Sequence, residues 1–444
     1  MSDGNDFGAG TGLMVAPRRS ALAKLAGRAG WNLIDQILST LTNAVLSILV
    51  ARQVDQFGTG AFSVAFLLFS LGIAVERALT GQVLTIRHSA AAADEWPAIA
   101  SRALGTVAVL AVPAGAAMVV AGMLLGGVLR WPLIAVGVTL GPLLMQDTVR
   151  SIFFAQSRAQ LAAMNDAVWA VVQFAVMGVL IVGGWATAGS LVLAWGVSAG
   201  VCVVVAAAQL RAVPNPRAAR GWVREHGDLL GYLLPGTLIA SGGDKSAYLM
   251  VGAIVNAAAV GSVNYARQLL SPLLIITQAA GSFAMPEIAR RAHLSPRTRW
   301  LAGVGMGAVM GLAALVYLVI ILALPDAIGT ILFHDTWAGA RSVLLPMGLF
   351  SVSANISFGP FMVIAATGHA KRTFRITVLQ TTLMVTLMPL GAILDGTAGA
   401  AWGLFIGKVI ELPFWFAALR TAARLGPVVR PTEGDADLGS GAVA

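Results

Sequence analysis

Eight ionisable side chains stand inside apolar stretches of this chain: Asp35, Glu76, Arg77, Asp244, Lys245, Arg267, Lys408 and Glu411. Each costs about 3 kcal/mol or more at the centre of a bilayer, so such a group faces a wet cavity or a partner. Arg77, Lys245 and Arg267 can therefore act as attractors for an anionic headgroup, because a cation at low dielectric holds phosphate strongly. The same residues can instead neutralise neighbours. On that reading Asp244 serves Lys245, Lys408 serves Glu411 one helical turn away, and Asp147 or Asp166 serves Arg150. Arg267 has no acidic residue close to it in sequence, which favours a cavity role. Asp35, Asn43, Glu76 and Asp244 are candidates for ion coupling or gating, since a carboxylate in a partly dehydrated cavity can exchange a proton or cation in response to substrate charge. Of these, Asp244 is the deeper in its stretch. Span-capping and helix-packing roles stay open for Asp35.

The elements that must position these groups are membrane spans. Hydrophobic residues make up 57% of the 444 and charged residues only 11%, with a mean hydropathy of +0.81. A span needs about 20 mostly apolar residues. Apolar stretches predict spans near 29–51, 59–84, 103–127, 131–149, 162–184, 187–209, 228–255, 260–286, 300–324, 342–366, 376–394 and 397–419. The runs are continuous rather than alternating, which disfavours a β-barrel. The expected fold is an all-α polytopic membrane protein of about twelve helices, with no water-soluble domain.

The net charge of +9 follows the same pattern. Odd-numbered connections hold three Lys or Arg (Arg52, Arg130, Arg341), whereas the N-terminus, the even connections and the C-terminal tail hold 22. That bias predicts both termini on the cytoplasmic side. The basic surface reads as a topology signal with attraction to anionic lipid, not as a nucleic-acid site. Trp31, Trp131, Trp185, Trp300, Trp402 and Trp415 fall near predicted span ends, as interfacial anchors do.

Other chemistries find little support. Cys202 has no partner and reads as a packing residue. The five histidines fall in separate connections, so no metal site is expected. No cofactor is expected, and no phosphate-cradling glycine loop ending in Lys and Ser or Thr is present to suggest direct ATP coupling.

A polar connection from Arg211 to Asp228, with Pro214 and Pro216, divides the spans six and six. The expected organisation is a basic cytoplasmic segment 1–28, a six-helix lobe 29–210, a cytoplasmic linker 211–227, a second lobe 228–420 and a disordered cytoplasmic tail 421–444. A shift of 201 residues sets GTGAFSVA, from Gly58, over AVGSVNYA, from Ala259, and places Asn43 opposite Asp244. A shift of 211 sets AQSRAQ, from Ala155, over ATGHAK, from Ala366. Both halves begin on the same side, so the lobes are expected to be related by a pseudo-two-fold axis along the membrane normal, facing each other across a central cavity. Gly303, Gly307 and Gly311 mark a helix-packing face.

The second half contains YLLPGTLIASGGDKSAYLMVGAIVNAAAVGSVNYARQLL, AMPEIARR, ILFHDTWAGARSVLLPM and AATGHAKRTF, and the first half contains VARQVDQFGTGAFSVAFLLFSLG. From Arg18 to Arg420 these segments resemble the polysaccharide, O-antigen and teichoic acid flippases of the multidrug, oligosaccharidyl-lipid and polysaccharide (MOP) exporter superfamily. Asp244, Gly261, Tyr265 and Pro286 match that family's pattern. The resemblance implies alternating access between two lobes and movement of a lipid-diphosphate-linked saccharide from the cytoplasmic to the outer leaflet of a bacterial-type inner membrane. It also implies polysaccharide assembly proteins as partners, with a monomer sufficient for transport and no enzymatic step. The connection from Val255 to Val260 departs from the pattern in being short and apolar. The acidic residues that drug-exporting relatives carry in their N-terminal lobe have no clear counterpart.

Two other functions compete. A cation-coupled drug or metabolite exporter of the same superfamily would rest on Asp244. A membrane-embedded glycosyltransferase or polymer ligase would need an outer-face groove with paired carboxylates or a His, for which the short connection bearing His334 and Asp335 is a poor provider.

Overall fold

A computed structural model describes residues 41–290 and 295–426. Asp35, Trp31, the 1–28 segment and residues 427–444 lie outside that description. The described residues contain helices and no strand.

The first lobe comprises α1 (41–53), α2 (Gln56–Arg87), α3 (Trp96–Leu125), α4 (Arg130–Ala155), α5 (Ala159–Val182) and α6 (Ala188–Leu210). A short helix, α7 (Ala219–Glu225), lies in the connection between lobes. The second lobe opens with α8, which runs from Gly227–Thr237 through a π-helical turn at Leu238–Gly242 into Gly243–Ile254. It continues with α9 (Ala257–Leu269), α10 (Pro272–Arg290), α11 (Pro296–Leu322), the short α12 (Asp326–Phe333), α13 (Thr336–Ala366) and α14 (Ala370–Leu425). The last is a hairpin of two helices. Asp395 and Gly396 break it, Gly396 at φ +54° and ψ −135°, a conformation that only glycine adopts readily. Its arms approach so closely that a Cβ on Gly391 would lie 2.0 Å from the Gly399 carbonyl oxygen.

Among the described residues, eight helices are long and apolar enough to cross a membrane by length and composition. The expected seventh and eighth spans fall short of that test. The seventh is continuous from Gly227 to Ile254 through Pro235 and a π turn but polar at its middle, and the eighth is divided at the Leu270–Ser271 step before Pro272. These are also the spans that carry Asp244, Lys245 and Arg267. α2 has a π turn too, at Arg77–Gly81. Each π turn rotates the helix face that follows it, a deviation that recurs at functional sites.

The repeat in the sequence is visible in the packing. Asp55 and Asn256, 201 residues apart, both cap their helices: Asp55 Oδ1 accepts from Gly58 N at 2.8 Å, and Asn256 Oδ1 accepts from Ala259 N at 2.9 Å. One turn further on, repeat mates meet each other. Gly60 lies so close to the second lobe that a Cβ there would come within 2.0 Å of the Ala257 carbonyl oxygen, and one on Gly261 would reach Gly60 Cα at 3.1 Å. Asn264 Nδ2 donates to Ser63 Oγ at 3.3 Å, again across 201 residues. A residue touches its own mate only beside a two-fold axis. The chain therefore forms two six-helix lobes related by a pseudo-two-fold, shut against each other at the end where α2 and α9 begin. Tyr265 adds a bond there, its hydroxyl donating to the Ser47 carbonyl at 3.0 Å.

Several local expectations meet the packing directly. Cys202 is fully buried. Gly307 lies against the Ile356 carbonyl, at 2.4 Å from a Cβ placed there, so the glycine stripe of α11 is a packing face against α13. Trp131, Trp185, Trp300 and Trp402 are exposed. Trp415 is a correction. It is 5% exposed and its indole donates to Glu411, so it belongs to the interior of the second lobe rather than to an interface. The helix expected to end near 419 runs on to Leu425, held by Arg299, whose Nη2 donates to the Ala423 carbonyl at 2.6 Å. Residues 421–425 are thus helix rather than tail. The linker is also more ordered than its polarity suggested: Asn215 N donates to the Ser101 carbonyl, and Trp222 of α7 is fully buried, its indole donating to the Leu79 carbonyl within the α2 π turn at 3.0 Å.

Candidate functional site

Each lobe encloses a cavity, and the sequence-derived residues divide between them. In the first lobe a cavity of about 220 Å³ is lined by Asn43 on α1, Phe66, Phe69 and Arg77 on α2, Gln146, Asp147 and Arg150 on α4, and Asp166, Trp169 and Gln173 on α5. Arg77 Nε and Nη2 donate to the two oxygens of Asp147, each at 2.6 Å, a two-pronged fork that fixes both planes. Asp147 is 8% exposed, whereas Arg77 is 49% exposed and turns its outer face to the cavity. Arg150 approaches Asp166 at 3.5 Å, and Gln146 Nε2 donates to the same carboxylate at 3.3 Å. Glu76 lies behind this layer, fully buried. Its Oε1 accepts from Thr80 at 2.5 Å and Thr148 at 2.7 Å, and its Oε2 has no hydrogen-bond donor among the described residues. Trp195 closes one wall, packed edge-on against Phe69 at 4.5 Å between ring centroids and face-on against Phe66 at 5.8 Å.

The second lobe holds a cavity of about 460 Å³ with a different lining. Arg267 on α9 and Lys408 on α14 supply its charge, and no carboxylate lines it among the described residues. Thr277 and Asn355 provide a neutral bridge between α10 and α13 at 2.8 Å, while Leu273, Leu274, Phe350 and Phe358 make much of the wall apolar. Arg267 sits over the Tyr248 ring at 5.5 Å. Behind the cations lie their counter-charges. Asp244 Oδ2 accepts from Lys245 Nζ at 2.6 Å and lies 3.5 Å from Arg267 Nη1. Glu411, fully buried, accepts from Lys408 Nζ at 2.9 Å and from the Trp415 indole.

Sequence reading anticipated the Asp244–Lys245 and Lys408–Glu411 pairs. It did not give Arg267 an acidic partner, because Asp244 lies on the neighbouring helix rather than one turn away. It set Asp147 or Asp166 beside Arg150; the fold places Asp166 there, at 3.5 Å, and gives Asp147 to Arg77, 70 residues distant. The Gln146, Gln173 and Trp169 lining was missed. The available signal was spacing: Gln146 adjoins Asp147, and Trp169 and Gln173 follow Asp166 by one and two helical turns.

No family model matches this chain, and no curated protein matches it. Solved structures do. An inward-facing multidrug resistance MATE family transporter of the MOP superfamily matches with a TM-score of 0.69 at 13% identity, over 87% of this chain and 94% of that one. The lipid II flippase MurJ in an inward closed conformation matches with a TM-score of 0.69 at 10% identity, over 88% and 89%. An outward-facing MATE family transporter of the MOP superfamily gives 0.56 at 12% identity, over 92% and 96%. At such identities the likeness is one of fold, and it is nearly complete over both partners. This chain has the two-lobe fold of the MOP superfamily transporters.

Proposed function

We propose that this protein is an alternating-access transporter that carries a lipid-diphosphate-linked saccharide from the cytoplasmic to the outer leaflet. The observation that carries this reading is the charge of the second-lobe cavity. Arg267 and Lys408 face it, their carboxylate partners stand behind them, and an apolar wall accompanies them. Such a lining suits an amphiphile with a phosphorylated head, because the cations meet the anion in a site of low dielectric while apolar groups stay beside apolar walls. Lys245 and Arg77 would then tune the field rather than touch the headgroup first, each being committed to a carboxylate at 2.6 Å.

The charge bias assigns the shut end, around Gly60 and Gly261, to the outer face. The better match to the inward-facing relative than to the outward-facing one supports the same state. In that state the headgroup enters from the cytoplasmic side and the contact at the axis must open to release it. Glu76, buried and bound by two threonine hydroxyls beside Asp147, is the carboxyl we assign to coupling with a proton or cation.

A second reading draws on the other cavity. Phe66, Phe69, Trp169 and Trp195 beside Asp147 and Asp166 form an aromatic and acidic lining that suits an organic cation. One experiment separates the two. In cells depleted of the protein and complemented with variants, a membrane-impermeant sugar-modifying probe reads lipid-linked saccharide at the outer leaflet, and growth with cationic compounds reads export. Arg267→Ala should lower outer-leaflet saccharide at unchanged protein level, and Lys408→Ala should lower it per molecule of protein, since that change also strands the buried Glu411. Unaltered saccharide in both, with lost resistance in Asp166→Asn, would replace flipping with cation export.

A further inference from the structure

Away from both cavities, the fold gathers three side chains that the sequence scatters. His226, at the end of α7, is 3% exposed. Its Nδ1 lies 2.9 Å from the Trp222 carbonyl, so Nδ1 carries the proton and donates there, leaving Nε2 with a free lone pair. That lone pair is 3.1 Å from Nε2 of His88, which follows α2, and 3.8 Å from Oε1 of Glu225. Arg102 binds the other oxygen of Glu225, so Oε1 is the one left facing the imidazoles. The His88 ring stacks on Trp222, 5.5 Å between centroids.

These are the parts of a transition-metal site. Two imidazole nitrogens that share a tetrahedral zinc ion at 2.0–2.1 Å stand about 3.3 to 3.4 Å apart. The observed 3.1 Å needs a shift of a few tenths of an ångström. Glu225, half exposed, must close by roughly half an ångström to reach a Zn–O bond. The backbone bond to His226 Nδ1 and the arginine on Glu225 are the outer contacts that orient such ligands and fix their tautomer.

We infer that His88, His226 and Glu225 bind one divalent transition cation of the zinc class, with water in the fourth position, and so fasten the inter-lobe linker to the end of α2. The consequence is mechanical. The linker is the covalent tie between the lobes, and Asp228 at the start of α8 pairs with Arg87 beside the same site. A metal clip there gives the second lobe a fixed pivot on the first, while the shut contact at Gly60 and Gly261 lies at the opposite end of α2.

The test uses the full chain in lipid nanodiscs, carrying an affinity tag without histidine and stripped with a chelator. Zn²⁺ is titrated against a chromophoric chelator, and Co²⁺ is added in parallel to read coordination from its visible spectrum. The expected result is one Zn²⁺ per chain, a Co²⁺ spectrum of four-coordinate intensity, and partial quenching of tryptophan fluorescence by Co²⁺ that is lost in Trp222→Phe. His88→Ala, which alters a half-buried ring at a helix end, should abolish binding while keeping the metal-free melting temperature. Glu225→Gln, which removes a direct ligand, should weaken it by more than the about 10- to 100-fold that loss of an outer contact costs. No stoichiometric Zn²⁺ on the unaltered chain, or binding that survives His88→Ala, would reduce the cluster to a hydrogen-bonded histidine pair and overturn the inference.

Discussion

The two lobes share a plan yet place their charges in opposite order. In the first, carboxylates line the cavity beside arginines, and the most deeply buried group is another carboxyl, Glu76. In the second, cations line the cavity and the carboxylates Asp244 and Glu411 stand behind them. The pseudo-two-fold preserves caps, close glycine contacts and helix order, all of which determine how backbones approach. It does not preserve charge order. Duplication followed by divergence explains this if the axis must keep its shape for the lobes to move, while each cavity answers to its own occupant.

Removing one carboxylate from each lobe tests that contrast with the largest expected effect. Asp147→Ala takes the two-pronged partner from Arg77, which is 49% exposed and keeps the cavity, and should cost about 1.5–3 kcal/mol, the range for hydrogen bonds to charged groups. Asp244→Ala should cost more, about 3–5 kcal/mol, because it leaves Lys245, only 14% exposed, without its carboxylate and beside Arg267. Thermal unfolding of the two variants in one detergent should show Asp244→Ala as the less stable. Equal destabilisation would mean that the counter-charges of the two lobes are equally structural and that the lobes differ in lining alone.

Much of this contrast was hidden in the sequence, for identifiable reasons. Span number and the phase of the positive charges were readable because each is a local property of about 20 residues. The repeat could be read at Gly60 and Gly261, where the axis demands small residues on both sides. The neighbours at i+1 and i+3 were readable too, giving Asp244–Lys245 and Lys408–Glu411. Partners on different helices were not, and these decide the site. Arg77 finds Asp147 across 70 residues, and Thr148 reaches Glu76 across 72. The π turns at Arg77 and Leu238 have no sequence signature, yet each resets which face of its helix meets the cavity. The nearness of two histidines was hidden by the same blindness: His88 and His226 lie 138 residues apart, and only the folding of Trp222 onto α2 makes them neighbours.

The smallest difference worth measuring lies in the hydroxyl bridges that join the second helix of each lobe to the fourth. Thr148 on α4 donates to Glu76 on α2 at 2.7 Å, and Thr277 on α10 donates to Asn355 on α13 at 2.8 Å. Both hydroxyls also lie in reach of a carbonyl four residues earlier, Leu144 for Thr148 and Leu273 for Thr277, so replacing each by valine removes the same local bond. What remains is the difference between serving a buried carboxyl and serving an amide. Thr277→Val should cost about 0.6 kcal/mol, the average for neutral hydrogen bonds between membrane helices. Thr148→Val should cost about 1.5–2 kcal/mol, because it strips a donor from a carboxyl oxygen that no water reaches and leaves Thr80 alone to serve it. Unfolding free energies that differ by less than the error of the measurement would mean that the Glu76 pocket admits water in the membrane-embedded state. In that case the first lobe would offer a hydrated path to Glu76 from its cavity, and the assignment of coupling to this carboxyl would gain a route for its proton.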